Sequence, residues 1–183
     1  MGRKYQIVND EYFYFLTFTT VYWLDIFSRE IYSQILIDSL RFCQREKGLK
    51  IGAFCVMPSH VHFIWGCQES GTLSGIIRDF KKYTSNRILK EIQLHPQESR
   101  REWLLWMMER AAKKNSRNKN YQFWQQHNHP IELNTNDKID SRLHYIHNNP
   151  VEAGLVYEAT AWKYSSASAY AGRESLLDLI YLT

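Results

Sequence analysis

Ile51-Gly52-Ala53-Phe54-Cys55-Val56-Met57-Pro58-Ser59-His60-Val61-His62-Phe63-Ile64-Trp65 is apolar for most of its length and is interrupted at Pro58-Ser59. A run of this kind, bounded by Gly48 and Gly66, predicts a strand hairpin over about 51–57 and 60–66 that turns at Pro58-Ser59. On a strand, residues i and i+2 share a face. His60 and His62 therefore project side by side, while Val61 and Phe63 point the other way into a core. Two imidazoles fixed on one strand could supply half of a metal site. The competing reading is one exposed histidine and one that caps a turn.

On either side of the hairpin the pattern alternates between the two regular periods. Residues 12–23 are β-branched and aromatic throughout, which predicts a first and central strand. Ser28 is positioned to cap a helix over about 29–46 whose apolar residues Tyr32, Ile35, Leu36, Leu40 and Cys43 recur at helical spacing, and Gly48 ends it. Thr72 opens a second helix with Leu73, Ile76, Ile77, Phe80 and Tyr83 on one face, then Ile88 and Ile92. Its outer face carries Arg78, Lys81, Lys82 and Arg87. Trp103 to Met108 suits a short helix, Lys113 to Asn120 a basic loop, and Tyr121 to Trp124 a strand. Thr135 or Asn136 caps a last helix, which should stop near Asn149 because Pro150 disfavours helical geometry in the residue before it. The order strand, helix, strand, strand, helix, strand, helix predicts an α+β fold. It is a ferredoxin-like split β-α-β arrangement, an antiparallel sheet with helices on one face. The expected organisation is one domain over 1–183, with a basic insertion around 95–120 and a C-terminal appendage from about 156.

Composition bounds the function. The 183 residues are 44% hydrophobic and 15% aromatic, enough for a sizeable core. No apolar run reaches membrane-spanning length, and the start, Met-Gly-Arg-Lys-Tyr-Gln, has no secretory h-region. Cys43, Cys55 and Cys67 are odd in number and form no CxxC pair, which suits buried thiols in a reducing cytoplasm. Net charge is +4, yet residues 78–119 alone hold 12 Lys and Arg against 5 Asp and Glu, a balance of +7. That imbalance points to a polyanionic partner for the middle of the chain, the alternative being a solvated helix face.

The last helix carries a second cluster. Over Asp137 to Asn148, Ile139, Leu143 and Ile146 form the apolar stripe, and Tyr145 lies roughly 100–160° away from it at 100° per residue. Asn149 is four residues on along the same flank and Arg142 one turn back. Phenol, carboxamide and guanidinium together could serve a phosphate, although an off-stripe tyrosine is also ordinary amphipathic surface.

At these residues the chain resembles a known family. Met57-Pro58-Ser59-His60-Val61-His62 is similar to the His-hydrophobic-His ("HUH") motif of single-tyrosine transposases. Tyr145-Ile146-His147-Asn148-Asn149-Pro150-Val151 resembles their tyrosine helix, and Phe123-Trp124-Gln125 and Trp162-Lys163-Tyr164-Ser165-Ser166-Ala167 resemble further motifs of the REP-associated branch. The resemblance spans about residues 12–170. It implies an endonuclease and transposase that cuts and rejoins single-stranded DNA beside hairpins through a covalent 5′-phosphotyrosine. It further implies Tyr145 as nucleophile, His60, His62 and Asn149 as ligands of Mg²⁺ or Mn²⁺, and either a homodimer or a monomer. Arg78, Lys81, Lys82, Arg87, Lys113, Lys114 and Arg142 are the expected nucleic-acid contacts. Two other readings stay open: a non-catalytic module that grips hairpin DNA or RNA, and metal-dependent hydrolysis without a covalent step. His127 and His129 form another His-x-His in a polar stretch, read as structural or DNA-facing. His144 and His147 have no assigned role.

Overall fold

The computed structural model describes residues 7, 9–68, 71–115 and 120–182. Four strands, β1 (Phe13–Thr19), β2 (Leu49–Val56), β3 (His60–Cys67) and β4 (Ile131–Leu133), form one antiparallel sheet in the order β2-β3-β1-β4. The apolar hairpin closes as expected. Met57 N donates to His60 O at 2.8 Å across Pro58-Ser59, and Val56 pairs with Val61.

Four helices of more than two turns accompany the sheet: α1 (Glu30–Lys47), α2 (Leu73–Leu94), α3 (Arg101–Lys113) and α4 (Asn136–Glu152). Alternation along the strands creates two cores. Leu16 and Phe18 of β1, Phe54 of β2 and Val61, Phe63 and Trp65 of β3 face one side, where α1, α2 and α3 bury Leu36, Leu40, Phe80, Ile88 and Leu104. Phe18, Trp65 and Phe80 meet there with ring centroids 5.2–6.1 Å apart. Such pairs add about 0.5–1.5 kcal/mol each beyond area burial. Phe15, Ala53, Cys55 and Ile64 face the other side, covered by Leu143 and Ile146 of α4. The α+β class and antiparallel sheet are those expected, but the helices divide between two faces, because β2 and β3 are apolar on both.

The helix ends follow local chemistry in part. Gly48 adopts φ 66°, the left-handed C-cap that lets α1 turn directly into β2, and Thr72 accepts a hydrogen bond from Gly75 N. Thr135 caps α4 by accepting from Lys138 N. Ser28 does not cap α1: its hydroxyl donates to Asp25 O, and Arg29 stands at the N-cap. Tyr83 is exposed rather than on the buried face of α2.

Three elements differ from expectation. The first strand stops at Thr19, and residues 21–23 form a 3-10 turn. Tyr121 to Trp124 contributes only a bridge between Trp124 and Thr20, so the fourth strand is Ile131–Leu133. And α4 runs through Pro150 to Glu152. Burial of Ile146 and Pro150 overrides the local preference of the residue before proline. The C-terminal segment then returns along the open edge of β2. Val56 N donates to Tyr164 O, Ser166 N donates to Phe54 O, and Ser165 bridges Cys55. Edge strands left bare invite pairing with other chains; this segment covers that edge.

Candidate active site

His60 and His62 lie on the α4 face of β3, with ring centroids 4.8 Å apart. Tyr145 comes down on them from α4, its ring centroid 5.1 Å from that of His62. Three side chains from a strand and a helix about 80 residues apart in sequence thus meet at one spot. Asn149, one turn beyond Tyr145, interacts through its side chain with His60. Phe15 of β1 is the common wall: it stacks on His62 at 5.5 Å and meets Tyr145 edge-on at 5.9 Å. The Arg142 guanidinium lies over the Phe15 ring, 4.9 Å from its centroid.

The imidazoles are oriented by their Nδ1 atoms. His62 Nδ1 is 2.9 Å from Thr17 Oγ1, its partner across the β1–β3 ladder, and His60 Nδ1 is 3.2 Å from Ser59 Oγ. His62 is 3% exposed, and its Nε2 is buried without a hydrogen-bond partner among the described residues. Burial holds its pKa down to about 3, with His60 and Arg142 adding to the effect. Burial also lowers the pKa of His60, opposed by its hydrogen bond with Asn149. Both rings are therefore neutral, the form in which imidazole binds metals. An unpartnered buried nitrogen costs free energy unless something pairs with it. The donor set of two neutral imidazoles and a carboxamide fits one divalent ion, Mn²⁺ more readily than oxygen-preferring Mg²⁺. No cluster of three His, Cys, Asp or Glu occurs among the described residues.

His147, with no role assignable from sequence, fixes α4 in place. Its Nε2 is 2.9 Å from Ser166 Oγ, which accepts from Phe54 N at 3.0 Å. The Trp162 indole donates to Val56 O at 2.9 Å. The Trp162-to-Ser166 segment thus ties α4, and with it Tyr145, to β2. Burial, then neighbouring His144, lowers the His147 pKa to about 4. Folded values below the reference 6.5 mean that the unfolded chain binds protons which the native protein refuses. Stability of the metal-free protein should be intact above about pH 6.5 and fall as the pH drops towards 4. Thermal unfolding between pH 7 and 4 should show this decline, and His147→Gln should make it shallower. An equally steep decline in the variant would remove His147 from the account.

The predicted basic contacts are scattered. Only Arg142 sits with the histidines. Arg78, Lys82 and Arg87 are on α2, across the sheet from them, and Arg78 and Arg87 pair with Asp79 and Glu91. Lys81 departs from the expected solvent-facing role. Its ammonium donates to Gln125 O (2.8 Å) and Asn128 Oδ1 (2.6 Å), 5.1 Å above Phe18, and burial lowers its pKa to about 8. It pins the 125–128 loop. Lys113 pairs with Glu109, and Lys114 lies over the Tyr22 ring at 5.7 Å. Residues 116–119 of the basic loop lie outside the described residues. His127 and His129 face each other at 5.9 Å in that same 125–129 loop.

Two histidines on a central strand thus meet a helix-borne tyrosine on one face of the antiparallel sheet. Residues 10–107, more than half of the chain, match the family described as "Transposase IS200 like". The protein belongs to the IS200-like transposase family. The match includes His60 and His62 and ends before Tyr145. A solved structure of a REP-associated tyrosine transposase bound to a REP hairpin superposes with a TM-score of 0.65 at 19% identity, covering 100% of this chain and 94% of that one. No curated protein matches the sequence. Among the described residues no helix is long and apolar enough to cross a membrane.

Proposed function

We propose that this transposase-family protein is a metal-dependent single-strand DNA endonuclease that cuts and rejoins DNA beside hairpins, with Tyr145 as its nucleophile. The observation that carries the reading is the convergence of Tyr145 on the His60–His62 pair. A divalent ion held by His60, His62 and Asn149 would supply Lewis-acid polarisation of the scissile phosphate. Tyr145 Oη attacks phosphorus and forms a phosphotyrosine bond to the 5′ end of the downstream fragment. The P–O3′ bond breaks, and the departing oxygen takes up a proton to become a 3′-OH; the phenol proton passes to solvent. In this reading the Arg142 guanidinium would offset phosphate charge. Reversal with a new 3′-OH rejoins strands without an external energy source, because the phosphotyrosine retains the energy of the phosphodiester. Incubation with hairpin-bearing single-stranded DNA and Mn²⁺ should yield a denaturant-resistant protein–DNA adduct, absent with chelator. Failure of the wild type to form one would leave the family's hairpin-gripping, non-catalytic reading.

DNA affinity should draw on the exposed lysines. Neutralising Lys82, Lys113 and Lys114 should weaken binding to any single strand and reduce the logarithmic salt slope by about 0.7 for each phosphate no longer neutralised. Lys81→Met should leave the slope unchanged and lower the unfolding temperature, since it removes the anchor of the 125–128 loop. A salt slope untouched by the triple variant would make these lysines solvated surface only.

A further inference from the structure

Tyr22 and Trp23 are consecutive aromatic residues in the left-handed region, at φ 53° and 56°. Bulky side chains seldom accept this conformation, and where a fold imposes it the strain tends to sit at functional positions. The turn is held from several directions. Thr20 N donates to Ser59 O at 3.0 Å, Val21 N to Phe123 O at 2.8 Å, and Gln125 N to Thr19 O at 2.8 Å. Val21 and Leu24 are buried on either side. Yet the two aromatic side chains it presents are not used in the core: Trp23 is 59% and Tyr22 40% exposed. The turn is thereby fastened to the Pro58-Ser59 turn that leads into His60. The Trp23 ring meets the His60 ring edge-on, centroids 5.3 Å apart. The Lys114 ammonium lies over the Tyr22 ring.

We infer that Trp23 is a stacking platform for an unpaired nucleobase of the strand whose phosphate lies at His60 and His62. This rests on the phosphate-binding reading of the histidine pair. An indole in contact with His60 is adjacent to that phosphate, so the base of a flanking nucleotide falls within its reach. The neighbouring Lys114 ammonium suits the backbone phosphates of the same strand. Stacking on an aromatic face tolerates any base, and the rigid turn fixes where that base lies, so the platform sets the register of the cut rather than the sequence read. Trp23 is a positioning residue, not a reacting one.

The test is binding of a labelled single-stranded oligonucleotide, alongside a set of the same oligonucleotides each with one abasic position. Trp23→Ala should bind the intact strand roughly tenfold more weakly, within the range for losing one base stack. At one abasic position the wild type should lose about as much, while Trp23→Ala loses nothing further. Trp23→Phe should keep most of the affinity. Trp23→Gly should bind as weakly as Trp23→Ala but unfold at a higher temperature, because glycine accepts the positive φ. Wild-type affinity in Trp23→Ala, a loss spread evenly over the abasic series, or a loss that follows a change in self-association would each overturn the platform. Adduct formation by the wild type is scored separately. Position-specific binding without any adduct would overturn the nuclease reading and keep the platform; adducts with an unaffected Trp23→Ala would do the reverse.

Discussion

Tyr145→Phe should eliminate the covalent protein–DNA adduct, lowering its rate of formation by at least about a thousandfold, while changing DNA affinity less than about threefold. The phenylalanine keeps the ring that packs on Phe15 and His62 and removes only the attacking oxygen. Tyr145 Oη hydrogen-bonds to no described residue, so the substitution should also leave stability within about 0.5 kcal/mol. Gel-resolved adduct yield, read beside binding by anisotropy, separates the two effects. Equal adduct yield from Tyr145→Phe would move the nucleophile elsewhere. Tyr83, Tyr164 and Tyr170 are poorly placed for that role. The Tyr170 hydroxyl donates to Gly52 O, Tyr164 is hydrogen-bonded to Glu30, and Tyr83 is on α2 across the sheet.

The second large effect is expected at His62. In metal-free protein, His62→Leu replaces a buried ring whose Nε2 has no partner with an apolar side chain. Unfolding temperature should change little, since an unsatisfied polar nitrogen is removed while the Thr17 hydroxyl loses its partner. Mn²⁺ should raise the unfolding temperature of the wild type by mass action and leave that of His62→Leu unmoved. Calorimetric Mn²⁺ affinity should fall by at least about a hundredfold in the variant. Thr17→Val, which removes the hydroxyl that orients His62 through Nδ1, should cost about 10- to 100-fold. Undiminished Mn²⁺ affinity in His62→Leu would make the histidine a core residue and the metal reading wrong.

Much of this architecture is readable from sequence because it rests on short-range chemistry. The apolar run broken at Pro58-Ser59 gives the hairpin. The i, i+2 rule gives the shared face of His60 and His62, and helical periodicity sets Tyr145 off the apolar stripe. Features that depend on how elements pair were out of reach. Thr17 is opposite His62 only by virtue of the β1–β3 register, and Phe15 becomes the wall of the site because β1 is central and packed on both sides. The basic count in residues 78–119 is real, but charge counting cannot tell which lysine turns inward; Lys81 satisfies a loop instead of facing solvent. Likewise Tyr121 to Trp124 has strand-like composition and forms a single bridge, because the Phe123 and Trp124 rings go into the core beside Phe27. The Trp162-to-Ser166 segment is conspicuous in sequence, yet its work, closing the β2 edge and holding His147, is visible only once the chain is folded back.

Peptide mass spectrometry of the adduct formed with hairpin DNA and Mn²⁺, together with end analysis of the released DNA, puts the chemistry to trial. The expected result is a single modified peptide containing Tyr145, linked to the 5′-phosphate of the downstream fragment, and an upstream fragment ending in a free 3′-OH. Linkage through a different residue, or cleavage of both fragments to free ends with no linked peptide, would contradict it.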